Sequence, residues 1–358
     1  MNGYITVYGR RVRFAISIPQ FVENGAFDTL AFRSFLKRTE QIGFESAWVS
    51  EQIIGTMPEL GPIETLSYAA ACTERIRLGV SALVLPLYSP VHLAKSLSTL
   101  DQLSRGRLEV GITLGGRFRM FSAFGVDPST LAARFTEEIR LLEALWTQPR
   151  VNFDGRFWQL RDAALEPKPL RRPRPTLYAG GESGAAKALI AGTCDAYLMH
   201  GDPPDRIAAK VEDMRARREA LALPPMIYGV AGYVVCRATG GAVEREIARI
   251  TDVRQSAAGY ANYEQWIANT QLEQRVSLED YSVSNRGLKA GLVGTPEQVA
   301  EQVRAFERAG VDLLLLQFSP QLEEMERFAE EVMPLVRAST REPSERHTGR
   351  VPTRAHAS

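Results

Sequence analysis

The run Leu177-Tyr178-Ala179-Gly180-Gly181-Glu182-Ser183-Gly184-Ala185-Ala186 joins a short β-rich stretch, a glycine pair and the opening of a helical pattern. A turn of this composition points several backbone N–H groups and the Ser183 hydroxyl at one spot, and the start of a helix adds partial positive charge there. That is the chemistry of a phosphate cradle, with Gly180, Gly181, Glu182 and Ser183 as its candidate residues. The same composition also serves a plain strand-to-helix turn, so its weight depends on the surrounding elements. Acid–base groups are sparse elsewhere, and His92 and His200 are the only histidines before the C-terminal tail. There is no two-histidine helix face, no carboxylate cluster at metal spacing and no GxSxG elbow. A chain so poor in catalytic acids and bases suits a bound cofactor that carries the hard chemistry itself.

The elements that would position such a turn alternate regularly. Strand-like runs fall at 13–19, 46–50, 77–83, 108–114, 176–179, 196–200, 226–235 and 313–318. Helical patterns fall at 30–42, 63–73, 90–103, 131–146, 183–191, 204–221, 242–257 and 296–309, with a last one at 322–336. Val299, Val303, Phe306 and Ala309 keep helical spacing, Thr295-Pro296-Glu297 is a helix start and Gly310 a stop. Eight βα units argue for a closed (β/α)8 TIM barrel in the α/β class. The alternative, an open Rossmann sheet, lacks a GxGxxG after its first strand. Two insertions break the repeat. Residues 148–170 contain a hairpin turning at Asp154-Gly155. Residues 259–294 are too long for a plain connection, and Tyr260, Tyr263, Trp266 and Tyr281 mark them as a packed lid. We therefore expect one domain over 1–338 and a disordered tail over 339–358, rich in Arg, Ser, Thr and Pro.

The 358 residues are 45% hydrophobic and 24% charged, enough apolar material for a large core. A net charge of +1 offers no attraction to nucleic acid or an anionic membrane. No apolar run is long enough to span a bilayer, and the first 13 residues lack a signal core. Three scattered cysteines without a CxxC pair fit a reduced, cytoplasmic compartment.

Barrel active sites lie at the C-terminal ends of the strands. That rule nominates Glu51, Ser81, Ala82, Thr113, Leu114, the Gly180–Ser183 turn, His200, Tyr233, Gln317 and Ser319. Glu51 also reads as a solvated loop charge, His92 as a structural residue just after Pro90, and Cys194 and Cys236 as core fillers. Arg286, between Asn285 and Gly287, is either a surface charge or an anion contact.

The run Pro90-Val91-His92-Leu93-Ala94-Lys95, then Thr99-Leu100-Asp101-Gln102-Leu103-Ser104-Arg105-Gly106-Arg107 and Val110-Gly111, resembles the luciferase-like flavin monooxygenases. Phe121-Ser122-Ala123-Phe124-Gly125-Val126 before a long helix is similar to the same group, and the resemblance covers roughly 13–336. Within it, Asp195-Ala196-Tyr197-Leu198, Gly201-Asp202-Pro203-Pro204, Ser284-Asn285-Arg286-Gly287-Leu288 and Ser319-Pro320-Gln321-Leu322 look closest to the alkanesulfonate and dimethylsulfone monooxygenases. Ile18-Pro19-Gln20 and Trp48-Val49-Ser50-Glu51 read equally well as a deazaflavin (F420)-dependent oxidoreductase. The resemblance implies a flavin barrel that uses reduced FMN from a separate NAD(P)H:flavin reductase, molecular oxygen and a small organosulfur substrate, with C–S cleavage. It also implies a homo-oligomer. F420-dependent hydride transfer and non-catalytic flavin binding are the alternatives. In the favoured reading the phosphate sits at Gly180–Ser183 and the ring near Ser81 and Thr113, with Glu51, Tyr233 and Arg286 in catalytic roles. The alkanesulfonate enzymes carry an Arg and a His in strand seven and a Tyr after strand eight; here those places hold Ala231, Tyr233 and Ser319.

Overall fold

A computed structural model describes residues 11–22, 25–55, 58–115, 119–252 and 287–338. Its frame is eight parallel strands, closed on themselves in the order β1 (Arg13–Ser17), β2 (Ser46–Val49), β3 (Arg77–Val84), β4 (Leu108–Thr113), β7 (Thr176–Ala179), β8 (Ala196–Met199), β9 (Ile227–Tyr233) and β12 (Leu313–Gln317). β12 pairs with β1 from Arg13 opposite Leu313 to Ile16 opposite Leu316, which seals the barrel. These are the expected strands with ends trimmed by a residue or two. They read as near-continuous apolar runs because both faces are covered, by helices outside and by packed side chains inside.

The helices are α1 (Thr29–Ile42), α2 (Pro62–Cys72), α3 (Pro90–Leu103), α4 (Leu131–Thr147), α5 (Gly184–Thr193), α6 (Pro204–Ala220), α7 (Gly240–Ile250), α8 (Pro296–Arg308) and α9 (Gln321–Arg327). α9 continues through a π turn at Phe328–Val332 into Met333–Ala338. Their ends follow local chemistry. Asp28 accepts the N–H groups of Leu30 and Ala31, both at 2.9 Å, and Thr295 with Gln298 forms a capping box on α8. α8 buries Val299, Val303 and Phe306, as its spacing predicts. Each such burial is worth roughly 1.5–3 kcal/mol.

The hairpin expected at 151–158 is present as β5 (Val151–Asp154) against β6 (Gln159–Ala163), and Glu137 of α4 pins it by accepting three backbone N–H groups at 2.9 Å. One expected strand divides. The run 226–235 leaves the barrel at Val234, and β10 (Val235–Cys236) pairs instead with β11 (Val293–Gly294). The expected lid over 259–294 lies outside the described residues up to 286, as does the tail 339–358. From the junction, Gly287–Ala290 forms one 3-10 turn against β9.

The barrel interior is layered. At its floor the Glu109 carboxylate, 2% exposed, pairs with Arg77 and with Arg171 at 3.4 Å. Above it Trp48 meets Tyr178 edge to face, centroids 5.0 Å apart, packed with Ala15, Ala196, Leu313 and Leu315. Gly79 is required here, since a Cβ on it would lie 2.3 Å from the Trp48 ring. Among the described residues, this packing fills the lower half of the barrel.

Candidate active site at the barrel mouth

Strand side chains alternate inward and outward, so the positions one step above the Trp48–Tyr178 layer ring the mouth. They include Ser17, Ser81, Thr113, Leu198, Ala231 and Gln317, all half-buried and mostly small. The rim thus sets mostly small residues above a large aromatic floor. β3 is drawn in tightly on that rim, with its register shifted between Val80 and Leu83. Any Cβ at Gly111 would strike the Val80 carbonyl oxygen at 2.1 Å. The Thr113 hydroxyl accepts the Gly115 N–H at 3.3 Å.

The glycine turn lies on this rim, between β7 and α5. A Cβ at Gly181 would come 2.8 Å from the Ala186 methyl, and one at Gly180 3.0 Å from the Leu198 carbonyl oxygen, so the turn packs as only glycines can. Tyr197 of β8 donates its hydroxyl to the Gly181 carbonyl at 2.8 Å. A trans peptide holds C=O and N–H antiparallel, so this bond aims the Glu182 amide the opposite way. Ser183 is the N-cap rather than the first helical residue, and its oxygen accepts from the Ala186 N–H at 3.2 Å, leaving its proton to donate. Gly184 and Ala185 open the helix, where N–H groups have no intrahelical acceptor, and both are exposed. This donor set fits a phosphate.

Glu182 behaves differently from its neighbours. Its carboxylate, 9% exposed, takes the Lys210 ammonium of α6 at 2.8 Å, and Lys210 also reaches Asp202 at 2.7 Å. The Glu182 side chain is thus tied to α6, while its main chain remains part of the glycine turn.

Across the rim, Glu51 follows β2. One carboxylate oxygen accepts the Val84 N–H at 2.8 Å and the other accepts the Tyr88 hydroxyl. Burial pushes the Glu51 carboxyl upward, and the bonds from Tyr88 and Val84 pull it back in part. Burial next to Glu51 lifts the Tyr88 phenol far above its usual range. Glu51 is thus committed to fixing the end of β3, where sequence reading gave it a catalytic role.

Tyr233 ends β9, 7% exposed, packed with Val235 and Val243 and against the Gly287 backbone. Burial raises its phenol, opposed by a hydrogen bond with Ser319 and by the Arg249 charge, so it stays neutral and can donate. Arg249 of α7 donates to the Ser319 carbonyl at 3.0 Å and hydroxyl at 3.3 Å, and pairs with Glu246 at 2.6 Å. Arg286 lies outside the described residues.

Among the described residues no His, Cys, Asp and Glu group is arranged to hold a metal ion. No described helix is long and apolar enough to cross a membrane.

The family model for luciferase-like monooxygenases matches residues 13–313. The chain belongs to that family. Among luciferase-like monooxygenases, an FMNH2-dependent dimethylsulfone monooxygenase of Pseudomonas putida is 34% identical over 291 residues, covering 76% of this chain and 78% of the relative. A second enzyme of that description, from Pseudomonas fluorescens (strain Pf0-1), is 32% identical over 317 residues, covering 85% and 86%. The crystal structure of a riboflavin lyase with modified FMN and riboflavin shares the fold, with a TM-score of 0.77 at 19% identity over 93% of each chain.

The structure brings Ser81, Thr113 and the Gly180–Ser183 turn to one rim, with Glu51 and the buried Tyr233 on the same rim. Sequence reading missed Tyr197, Lys210, Tyr88 and Arg249. Each acts through a partner 16 to 70 residues away, and no local pattern marks it.

Proposed function

We propose that this chain is a two-component, reduced-FMN-dependent monooxygenase that cleaves the C–S bond of a small organosulfur substrate, a sulfone or sulfonate. The observation that carries the reading is the phosphate-suited turn on the open rim of a barrel whose FMNH2-dependent relatives reach 34% identity. Of the two cofactors open from sequence, the curated relatives favour FMN over F420.

The phosphate is held by the Ser183 hydroxyl and the N–H groups of Glu182, Gly184 and Ala185. Ser81 and Thr113, on the rim above the Trp48–Tyr178 floor, would hold the ring. When bound, reduced FMN supplies the two electrons with which dioxygen oxidises a carbon beside sulfur. One oxygen atom would enter the substrate, a sulfone then breaking into a sulfinate and an aldehyde and a sulfonate into sulfite and an aldehyde, and the other would leave as water. Tyr233, kept neutral by burial, donates a hydrogen bond to the reacting oxygen or to a sulfonyl oxygen. Arg249 offers a cation to the same sulfonyl group, tempered by Glu246. The small residues of the rim exclude water once the opening is filled. The protein works in the cytoplasm as a homo-oligomer, beside a separate NAD(P)H:flavin reductase.

Incubation with an FMN reductase, NADH and dimethylsulfone, alkanesulfonates and related compounds tests this directly. The expected result is sulfinate or sulfite released in step with substrate and oxygen consumption. FMN turnover that no organosulfur compound affects counts against it. Tight binding of F420 with oxygen-independent turnover would replace it with the hydride-transfer alternative.

A further inference from the structure

The Glu182 side chain poses an electrostatic problem. It sits one residue before the N-cap of α5, in the turn assigned to the FMN phosphate, and is almost fully buried there. A carboxylate and a phosphate in one desolvated turn repel strongly, because screening inside a protein is far weaker than in water. Asp202, 3% exposed, stands on the β8–α6 connection of the same rim and adds a second negative charge. The single ammonium of Lys210 lies between them, 2.8 Å from Glu182 and 2.7 Å from Asp202, with only 18% of its side chain exposed.

We propose that Lys210 is a positioning and specificity residue for the cofactor. It ties the Glu182 carboxylate back toward α6, away from the donor groups of the turn, and cancels its charge, so that the site accepts a flavin bearing a phosphate. Lys210 acts through Glu182 and makes no phosphate contact of its own. The tie also joins the β7–α5 turn to the β8–α6 connection, alongside the Tyr197 bond to Gly181. Without the lysine, both carboxylates lose the ion pair they make with it beside the turn. The neutral part of the flavin does not sense that change, whereas the dianionic phosphate does. This inference rests on the FMN reading of the site and specifies which charge permits it.

The test compares affinities of FMN and riboflavin, read by fluorescence quenching, in the full-length protein. The wild type prefers FMN; if it binds both equally, the turn is not a phosphate site and the proposal falls with it. Lys210→Met is expected to weaken FMN at least tenfold, or about 1.4 kcal/mol, with riboflavin affinity held within twofold. Adding Glu182→Gln to Lys210→Met is expected to restore FMN to within threefold of wild type. Equal loss of both ligands, or no recovery in the double variant, shows that the lysine merely supports the fold and overturns the proposal. The triple variant Lys210→Gln, Glu182→Gln and Asp202→Asn removes the three charges of this pairing and covers the case in which Lys210→Met alone does not fold. It should keep the FMN preference. Loss of the preference there assigns Lys210 to direct phosphate contact, which also overturns the proposal.

Discussion

The two ends of the barrel handle charge in opposite ways. At the floor, Glu109 is buried among arginines from β3 and from the segment before β7, and its charge is answered within the barrel. At the mouth the rim residues are small and half-buried, and donors such as the N–H groups of Gly184 and Ala185 face outward without an intrahelical acceptor. A buried charge met by opposite charges marks scaffolding, while exposed donors at a helix start mark the place for a ligand. Within the mouth the same contrast separates Glu51, fully engaged by Val84 and Tyr88, from Ser183, which keeps a proton to give.

Breaking the floor should have the largest effect, and on stability alone. Glu109→Ala removes the partner shared by Arg77 and Arg171, both of which keep access to water, and should cost about 1.5–3 kcal/mol. A denaturant melt would show it, while the ratio of FMN to riboflavin affinity stays at the wild-type value. If that ratio moves, floor and mouth are not separable.

Glu138 of α4 sharpens the comparison, since it is buried yet neither oxygen meets a hydrogen-bond donor among the described residues. Burial pushes its carboxyl up to about 8. The folded form keeps its proton where the unfolded chain has already released it, so stability should fall as pH rises from the ordinary carboxylate range toward 8. Glu138→Leu should remove that slope and stabilise the protein by about 1–3 kcal/mol near neutrality. Melting temperatures of both proteins between pH 5 and 8 check the sign; parallel curves would refute it.

The mouth should respond more mildly and in binding or turnover. Ser183→Ala should weaken FMN about tenfold and riboflavin hardly at all, with roughly 1 kcal/mol of stability lost from the missing cap. Equilibrium titration of both ligands decides. The smallest effect expected is that of Tyr233→Phe, about a fivefold fall in kcat with unchanged FMN affinity, the worth of one hydrogen bond. Steady-state kinetics at saturating flavin would expose a larger role, or none.

Much of the fold was legible because barrel strands and amphipathic helices are local patterns. The run 313–318 announces β12 by composition, and Thr295-Pro296 announces the start of α8. The split of the run 226–235 was not legible, because Val235 turns to a partner in β11, 58 positions further on, that only the folded chain supplies. The glycine turn was readable for the same local reason as the strands. The partners of Glu51 and Glu182 were not legible, because residue type shows a charge but not what meets it. Val84, Tyr88 and Lys210 approach them only when the strands close. Arg249 looks like any solvated charge on an amphipathic helix until α7 packs and brings it to Ser319.

Among the described residues, the Trp48–Tyr178 contact fills the barrel between its floor and its rim. Recognition is thereby left to the strand ends and the loops they carry, which can be remodelled for a different guest while the packed layer beneath keeps its shape.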